Sequence, residues 1–351
     1  MVIGRDRPVG AAVPSTERRG WITEGALSTR YVKVGRSSGA GLREILRTTH
    51  HDLLVLNGFF DREFTIPALV LRRLGLIPRR PTILSPRGEF SAGALELKRA
   101  RKRAYLTAVA KLGLIDDVWL HATGEDEAKE IRSACPWARR IAVAPNIRVL
   151  RPLPATGRSD SANGRLRLVF LSRIDRMKNL DYALQVLARI SVPAVLDIYG
   201  PISDAAYWNE CERMITSLPE RVEARYRGAI PNEAVCATLA GYDLFLLPTK
   251  GENFGHAIFD GLEAGVPVLI SDQTPWRDLG DAGYALPLAQ PAVFQIAIEQ
   301  FARLSPAERA AMRRAARSTA ENAAKANDAV ARSRSMLLAA LQEGKCHRPA
   351  V

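Results

Sequence analysis

Cysteine is scarce in this 351-residue chain, and its four copies, Cys135, Cys211, Cys236 and Cys346, are scattered without metal-like or redox-like pairing. A disulfide framework is therefore excluded as the source of stability, and reduced thiols are expected. Long apolar runs are also lacking. No stretch reaches the roughly 18 uncharged apolar residues that a membrane span needs. The first twenty residues, MVIGRDRPVGAAVPSTERRG, interleave charges and prolines and hold no apolar core of a signal peptide. No G-x-G-x-x-G follows a strand, which argues against a nucleotide-dependent dehydrogenase. No Asp-x-Asp occurs, so a metal bridging a diphosphate has no obvious ligands. No repeat of solenoid period is present. What remains, with 47% hydrophobic and 25% charged residues, is a soluble globular chain long enough for two domains of ordinary size.

Acidic residues are short in the first half only. Residues 1–150 carry 26 Lys and Arg against 15 Asp and Glu, a balance of +11, whereas residues 151–351 carry 24 against 22. The excess concentrates in VLRRLGLIPRRP (70–81) and LELKRARKRAYLTAVAKLGL (95–114). The second reads as a helix with a cationic face, on which Leu95, Leu97, Tyr105, Leu106 and Val109 are expected to offer apolar contacts beside Lys98, Arg99, Arg101, Lys102 and Arg103. Such a patch attracts nucleic acid, an anionic membrane surface or a phosphorylated substrate, and charge alone does not choose. No aromatic interleaving or helix-turn-helix pattern accompanies it, which disfavours a nucleic-acid-binding protein.

Apolar runs bounded by turn signals recur with helical segments between them, the pattern of an α/β protein with parallel sheets. The strands expected in the first half are 30–34, 53–57, 82–85, 118–123 and 140–146. A polar segment, RPLPATGRSDSANGR (151–165), reads as a linker. Strands then resume at 166–172, 194–200, 223–228, 244–249 and 266–271, before alanine-rich helical sequence from about 291 to 342. This gives an N-terminal domain over 1–150, a linker over 151–165, a second domain over 166–330, and a C-terminal helix and tail over 331–351 free to pack back on the first domain. The opening residues offer no buried strand running into a glycine-rich turn. The first domain is therefore expected to lack its first strand or to be abbreviated.

Two segments carry chemistry. In TKGENFGHAIFDGLEAGVPVLISD (249–272), a loop with an acid and two glycines follows an apolar strand and starts a helix. At about 100° per residue, His256, Asp260 and Glu263 share one stripe of that helix, and Ala257, Ile258, Gly261 and Leu262 lie opposite. A helix beginning right after a strand's carboxyl end points its free N–H groups into the crevice where open α/β sheets bind ligands, and Glu252 hangs over that crevice. In LSRIDRMKNL (171–180), Arg173 and Lys178 follow another strand, with Asn179 or Asp181 placed to cap the next helix. Two cations beside a helix N-terminus suit a diphosphate.

Together these segments resemble the retaining GT-B glycosyltransferases of family 4, of the bacterial group 1 type. The matching positions are Arg173 and Lys178, then Glu252 with Phe254 and Gly255, Asp260 eight positions on, and Gly265 with Pro267. LDIYGP (196–201), YRGAIPNEAV (226–235) and PNIR (145–148) extend the likeness. In the first half it continues through LNGFFDREFTIP (56–67), ILSPRGEF (83–90) and HATGEDE (121–127).

The resemblance implies two doubly wound Rossmann-like domains facing across a cleft. It also implies transfer of a sugar from a nucleotide diphosphate sugar to a saccharide or lipid-linked saccharide with retention of configuration, in cell-surface polysaccharide synthesis. Arg173, Lys178 and Glu252 would be the catalytic residues. Asn253, Phe254, Gly255, Asp260, Gly228 and Ile230 would bind the donor, with Asp260 on the ribose where the family has Glu. Pro86-Arg87-Gly88-Glu89 replaces a family histidine, and Arg87, Glu89 and His121 are candidates for the acceptor side. No metal or other cofactor is expected. The expected location is cytoplasmic, with peripheral attachment at the inner membrane face left open. An inactive or truncated relative of these enzymes is the principal alternative.

Overall fold

The computed structural model describes residues 1–5, 21–32, 38–96, 99–153, 164–326 and 328–346. It divides into two units, Met1–Asn146 with Asp328–Val351, and Ile147–Asn327.

The first unit begins with β1 (Val2–Arg5), β2 (Ile22–Glu24) and β3 (Leu27–Val32), followed by α1 (Ser38–Thr48), β4 (Leu54–Asn57) and α2 (Thr65–Arg73). Next come β5 (Thr82–Ser85), α3 (Ala92–Glu96), α4 (Arg99–Leu112), β6 (Val118–Ala122), α5 (Glu125–Ala134) and β7 (Arg140–Val143). Strands β4, β5, β6 and β7 form a four-stranded parallel sheet in sequence order. The opening strand β1 does not join it. It pairs parallel with β3 in a separate three-stranded sheet that β2 completes. Residues 6–20, where a glycine-rich turn was sought, lie outside the described residues.

The second unit contains β8 (Leu166–Leu171), α6 (Leu180–Leu187), β9 (Ala194–Tyr199), α7 (Ala205–Thr216), β10 (Val222–Gly228), α8 (Asn232–Leu239), β11 (Leu244–Leu247), α9 (His256–Glu263), β12 (Val268–Ser271), β13 (Gly283–Leu286), α10 (Pro291–Arg303) and α11 (Pro306–Ala326). Its six strands are parallel in the order β10-β9-β8-β11-β12-β13. Counted from β8, that is the order 3-2-1-4-5-6 of a doubly wound nucleotide-binding sheet. The central strands β11 and β12 are buried at every position, which explains why they read as continuous apolar runs rather than alternating ones. Short β13 was not anticipated, because GYAL is a four-residue edge strand paired only with β12.

The last helix, α12 (Ala329–Cys346), belongs to the first unit although it follows the second in the chain. Met336 and Ala340 pack with Ile83 and Ala144, Trp119 Nε1 donates to Glu343 Oε2 at 3.2 Å, and Arg140 pairs with Glu343 at 2.7 Å. The sequence places the break between domains at residue 150, whereas the units divide after Asn146. Most of the expected linker, 154–163, lies outside the described residues.

The cationic helix α4 requires a correction. Val109 is fully buried, and Leu95, Tyr105 and Leu106 pack against the first unit's core. These side chains belong to the interior and are not free for a lipid surface; Leu97 and Lys98 lie outside the described residues. Among the described residues, no helix is long and apolar enough to cross a membrane.

His121 on β6 is likewise built into the core. It is 8% exposed. Its Nε2–H donates to Ala144 O at 2.7 Å, and Nδ1 lies 2.8 Å from Ser85 Oγ, a hydroxyl able to donate to it in the neutral ring. Burial is the main cause that pushes its pKa below the ordinary 6.5. The unfolded chain therefore takes up a proton near pH 6.5 that the folded chain refuses, so this contribution to stability is full above that pH and is lost as pH falls below it. We expect the melting temperature to drop from pH 7 to pH 5 more steeply in the native protein than in His121→Gln, as read by circular dichroism. Equal slopes would show that His121 is not held neutral.

Candidate active site

The candidate site lies at the carboxyl edge of the second unit's sheet, where β8 and β11 are neighbours although two strands, β9 and β10, separate them in sequence. This reversal of strand order is where open α/β sheets leave a crevice for ligands. Beyond β8, Asp175 folds the chain back on itself: its Oδ1 accepts from the backbone N–H of Met177 and Lys178 at 3.0 and 3.2 Å. Asn179 then takes a left-handed conformation (φ 62°, ψ 41°) before α6 begins, and its Nδ2 donates to Pro248 O beyond β11 at 2.9 Å. Lys250 N and Thr249 Oγ1 both donate to Met177 O, at 2.8 and 3.1 Å. The two loops are thus stapled together through backbone groups. In consequence Lys178 Nζ reaches Glu252 Oε1 at 2.7 Å, with 13% and 12% of the two side chains exposed.

The second cation, Arg173, is more open. Its side chain is 62% exposed and its Nη2 lies 3.6 Å from Asp175 Oδ2. A solvated, loosely paired guanidinium stabilises little by itself but is free to meet an anion. Beyond β9, Gly200 is required by close approach, since a Cβ there would fall 1.8 Å from Ser172 O. At the end of β10, Gly228 has φ 79° and its carbonyl accepts from Gly200 N at 2.9 Å, while Ile230 just beyond packs against the core. Both therefore lie on the same sheet edge.

Helix α9 starts at Gly255, whose φ of 79° favours glycine and whose added Cβ would sit 2.9 Å from Ile258 Cδ1 and 3.1 Å from Trp276 Nε1. Trp276 holds the loop from outside: its Nε1 donates to Phe254 O at 2.6 Å and its ring meets Phe254 edge-on at 5.8 Å. This leaves Asn253, Phe254 and Gly255 at the helix N-terminus, next to Glu252.

The polar stripe of α9 has partners that the sequence reading did not supply. Asp260 Oδ1 accepts from Arg148 Nη2 and Arg151 Nη2, both at 2.7 Å. Glu263, with a fully buried side chain, accepts from Arg151 N at 2.5 Å and Arg151 Nε at 2.9 Å. Arg148 also lies over the Phe259 ring at 4.6 Å. Burial pushes the Asp260 carboxyl above its ordinary pKa, against the two arginines. Among the described residues, Oδ2 of Asp260 accepts no hydrogen bond. These contacts also explain why the second unit begins at Ile147: residues 148–151 are bound to α9. Arg148 was within reach of the sequence, since it closes the quoted PNIR. Trp276 gave no signal.

The first unit's candidates are separated by the fold. Glu89 turns inward and its Oε2 accepts from the backbone N–H groups of Phe59 and Phe60, which makes it a loop support. His121 is buried in the core as described. Arg87 stands at the carboxyl edge, donating from Nε to Asn57 Oδ1 at 3.1 Å and from Nη1 to Asn146 Oδ1 at 2.8 Å.

Residues 157–319 match the family model described as glycosyl transferases group 1, a span just under half of the chain that runs from ahead of β8 into α11. Among curated proteins, none matches. Solved structures share the fold over most of the chain. Sucrose-phosphate synthase from Thermosynechococcus elongatus is 15% identical with a TM-score of 0.70, over 95% of this chain and 86% of its own. HepE from Anabaena in complex with UDP-glucose is 15% identical with a TM-score of 0.63, over 89% and 85%. A TarM variant from S. aureus, in complex with fondaparinux, α-GlcNAc-glycerol and UDP, is 13% identical with a TM-score of 0.64. There the match takes in 86% of this chain but only 57% of TarM. The fold is thus GT-B, with two Rossmann-like domains in one chain.

The Lys178–Glu252 pair has a measurable signature. Lys178→Ala strands a mostly buried carboxylate and is expected to destabilise the second unit by about 1–3 kcal/mol in urea titrations. The double variant Lys178→Met/Glu252→Gln should recover part of that loss. Additive effects of Lys178→Ala and Glu252→Gln would show that the two groups do not interact in solution.

Proposed function

We propose that this chain is a glycosyltransferase that moves a sugar from a nucleotide diphosphate sugar to a saccharide or lipid-linked saccharide, with retention of anomeric configuration, in cell-surface polysaccharide synthesis. The observation that carries the reading is the meeting of Lys178 and Glu252 at the point where strand order reverses, inside the segment that matches the group 1 family. A site that must hold a diphosphate, dianionic in the donor and more negative as it leaves, beside a neutral sugar needs cations on one side and hydroxyl acceptors on the other. Arg173 and Lys178 fill the first role. Glu252 fills the second, and the backbone N–H groups of Asn253, Phe254 and Gly255 donate to the sugar's hydroxyl oxygens.

As the bond from the anomeric carbon to the diphosphate breaks, negative charge grows on the leaving oxygen. Lys178 follows that charge, exchanging its contact with Glu252 for one with the phosphate. Glu252 is thereby released toward the sugar hydroxyls. The acceptor hydroxyl attacks from the face that the diphosphate leaves and passes its proton to the departing phosphate oxygen, which retains configuration. Asp260 keeps Oδ1 on its arginines and offers Oδ2 to the ribose, and the loop at Gly228 and Ile230 borders the base. The reading includes no metal ion. HepE holds UDP-glucose and TarM holds UDP, so uridine nucleotides come first in a thermal-shift screen against GDP- and ADP-sugars; a ligand bound only by the native state raises the melting temperature.

The acceptor side is proposed to work at the cytoplasmic face of a membrane. Exposed Leu74, Leu76 and Leu112 lie near one another, Arg73 Nε donating to Leu112 O at 2.8 Å. Arg73, Arg79 and Lys111 are exposed around them. Leucines ringed by cations suit an anionic bilayer, which attracts each Lys or Arg by about 1 kcal/mol near its surface.

Three outcomes are expected. Lys178→Ala should lower kcat/KM for transfer by about 10–100-fold, the loss of one charge-assisted contact, in a protein that remains folded. Near-normal turnover would remove this loop from the site. Asp260→Asn should weaken nucleotide affinity in calorimetry more than Asp260→Glu does, and equal affinities in both would end the ribose assignment. Co-sedimentation with anionic liposomes should weaken with salt and fall when Leu74 and Leu112 become Ser. Indifference to anionic liposomes at low salt would point to a soluble acceptor.

A further inference from the structure

Only two non-glycine residues take a positive φ among the described residues, Arg87 (58°) and Asn179 (62°), and each follows a strand's carboxyl end. Asn179 is explained by the loop staple it makes. Arg87 is not. It sits with Gly88 (φ 77°) at the centre of a turn that Glu89 N closes on Pro86 O at 3.4 Å. Two central residues at positive φ make the mirror-image turn that Asn-Gly or Gly-Gly supplies without strain. Arginine there costs backbone energy that a plain turn would not ask for.

That strained backbone holds a cation in place. Arg87 is anchored by neutral side-chain carbonyls at the last residue of β4 (Asn57) and beyond the end of β7 (Asn146), the two outer strands of the sheet that has β5 and β6 at its centre. It makes no ion pair among the described residues. Glu89 is taken by Phe59 N and Phe60 N. The buried Glu127 accepts from Gly88 N at 2.7 Å through one oxygen and from Thr123 N and Oγ1, at 2.7 and 2.8 Å, through the other. Of the five N–H groups of a guanidinium, two are used here, and both Nη2 hydrogens remain open. A positioned cation with no ion-paired carboxylate, Glu127 acting on it only through space, and with a free donor edge has the geometry that an oxyanion takes in bidentate fashion.

We propose that Arg87 is a specificity-determining residue that binds an oxyanion, a phosphate ester or carboxylate, on the acceptor saccharide. The inference rests on reading the first unit as the acceptor side, and it narrows that acceptor to an anionic one. A neutral sugar gains little from a guanidinium that lacks a hydrogen-bonded carboxylate, whereas a charged one replaces the water on it with two charge-assisted bonds.

The test follows the Arg87 Nε–H resonance in ¹⁵N spectra, identified by its loss in Arg87→Lys. Glucose 1-phosphate, glucuronic acid, glucose and UDP are titrated separately at constant ionic strength. A saturable shift with one or both anionic sugars, and none with glucose, is expected. By calorimetry the affinity for the shifting sugar should fall about tenfold or more in Arg87→Gln and recover in part in Arg87→Lys, with melting temperatures close to that of the native protein. No saturable shift with either anionic sugar, or an equal shift with glucose, overturns the proposal. So does a UDP shift that Arg87→Gln converts into a comparable loss of UDP affinity, because the oxyanion would then be the donor's. Failure of UDP to bind anywhere would count against the nucleotide-sugar reading alone, since the sugar arms report on Arg87 independently.

Discussion

The carboxyl edge of the second unit is organised around one contact, the ion pair between Lys178 and Glu252. Each residue comes from a different loop, and the loops meet only because β8 and β11 lie side by side. Taking an ammonium and a carboxylate out of water costs several kcal/mol that their attraction only partly returns. An arrangement of this kind is a poor way to stabilise a domain and a good way to keep two charges poised. A ligand bringing its own negative charge and its own hydroxyls can separate the pair without leaving either member unpaired. In the proposed reading, binding is an exchange of partners between two side chains that are already mostly buried, in keeping with electrostatic preorganisation.

The backbone supports this with few tools. Asn179 and Gly255 both stand at left-handed positions immediately before the helices that flank the contact. Asn179 turns the chain so that Lys178 points at the opposite loop, and its amide closes on Pro248 O. Gly255 lets the chain enter α9 with Trp276 packed against it. Replacing either conformation would move a charge by a distance comparable to a hydrogen bond, and misplacement on that scale matters for a positioned reaction.

How much of this was legible before the structure follows from what each feature needs. Five of the second unit's six strands were read to within two residues, because central parallel strands are continuous apolar runs bounded by turns. The Arg173, Lys178 and Glu252 loops were legible because they join strand ends to helices in short segments. The partners of α9 were not, since Arg148 and Arg151 lie more than a hundred residues upstream and pair with Asp260 and Glu263 only after folding. Helical periodicity placed these acids on one stripe but had no means of showing that cations already faced it. The same limit applied to α4. Its cations were visible in the sequence, yet only packing showed that Val109 and Tyr105 serve the core.

The Arg148–Asp260–Arg151–Glu263 cluster gives the shorter acid at position 260 a physical rationale. Two guanidinium groups converge on one carboxylate oxygen at 2.7 Å each, which fixes the carboxyl plane and leaves the other oxygen with a defined direction. Glu263 offsets the second positive charge from below, with its oxygens on the backbone and side chain of Arg151. A glutamate at 260 reaches further but carries one more rotatable bond, and ordering such a side chain has an entropic cost. An aspartate held by two arginines is shorter and already ordered. Its open oxygen is therefore aimed by the first residues of the second unit, so the segment 148–151 that starts this domain also sets the orientation of its candidate ribose acceptor.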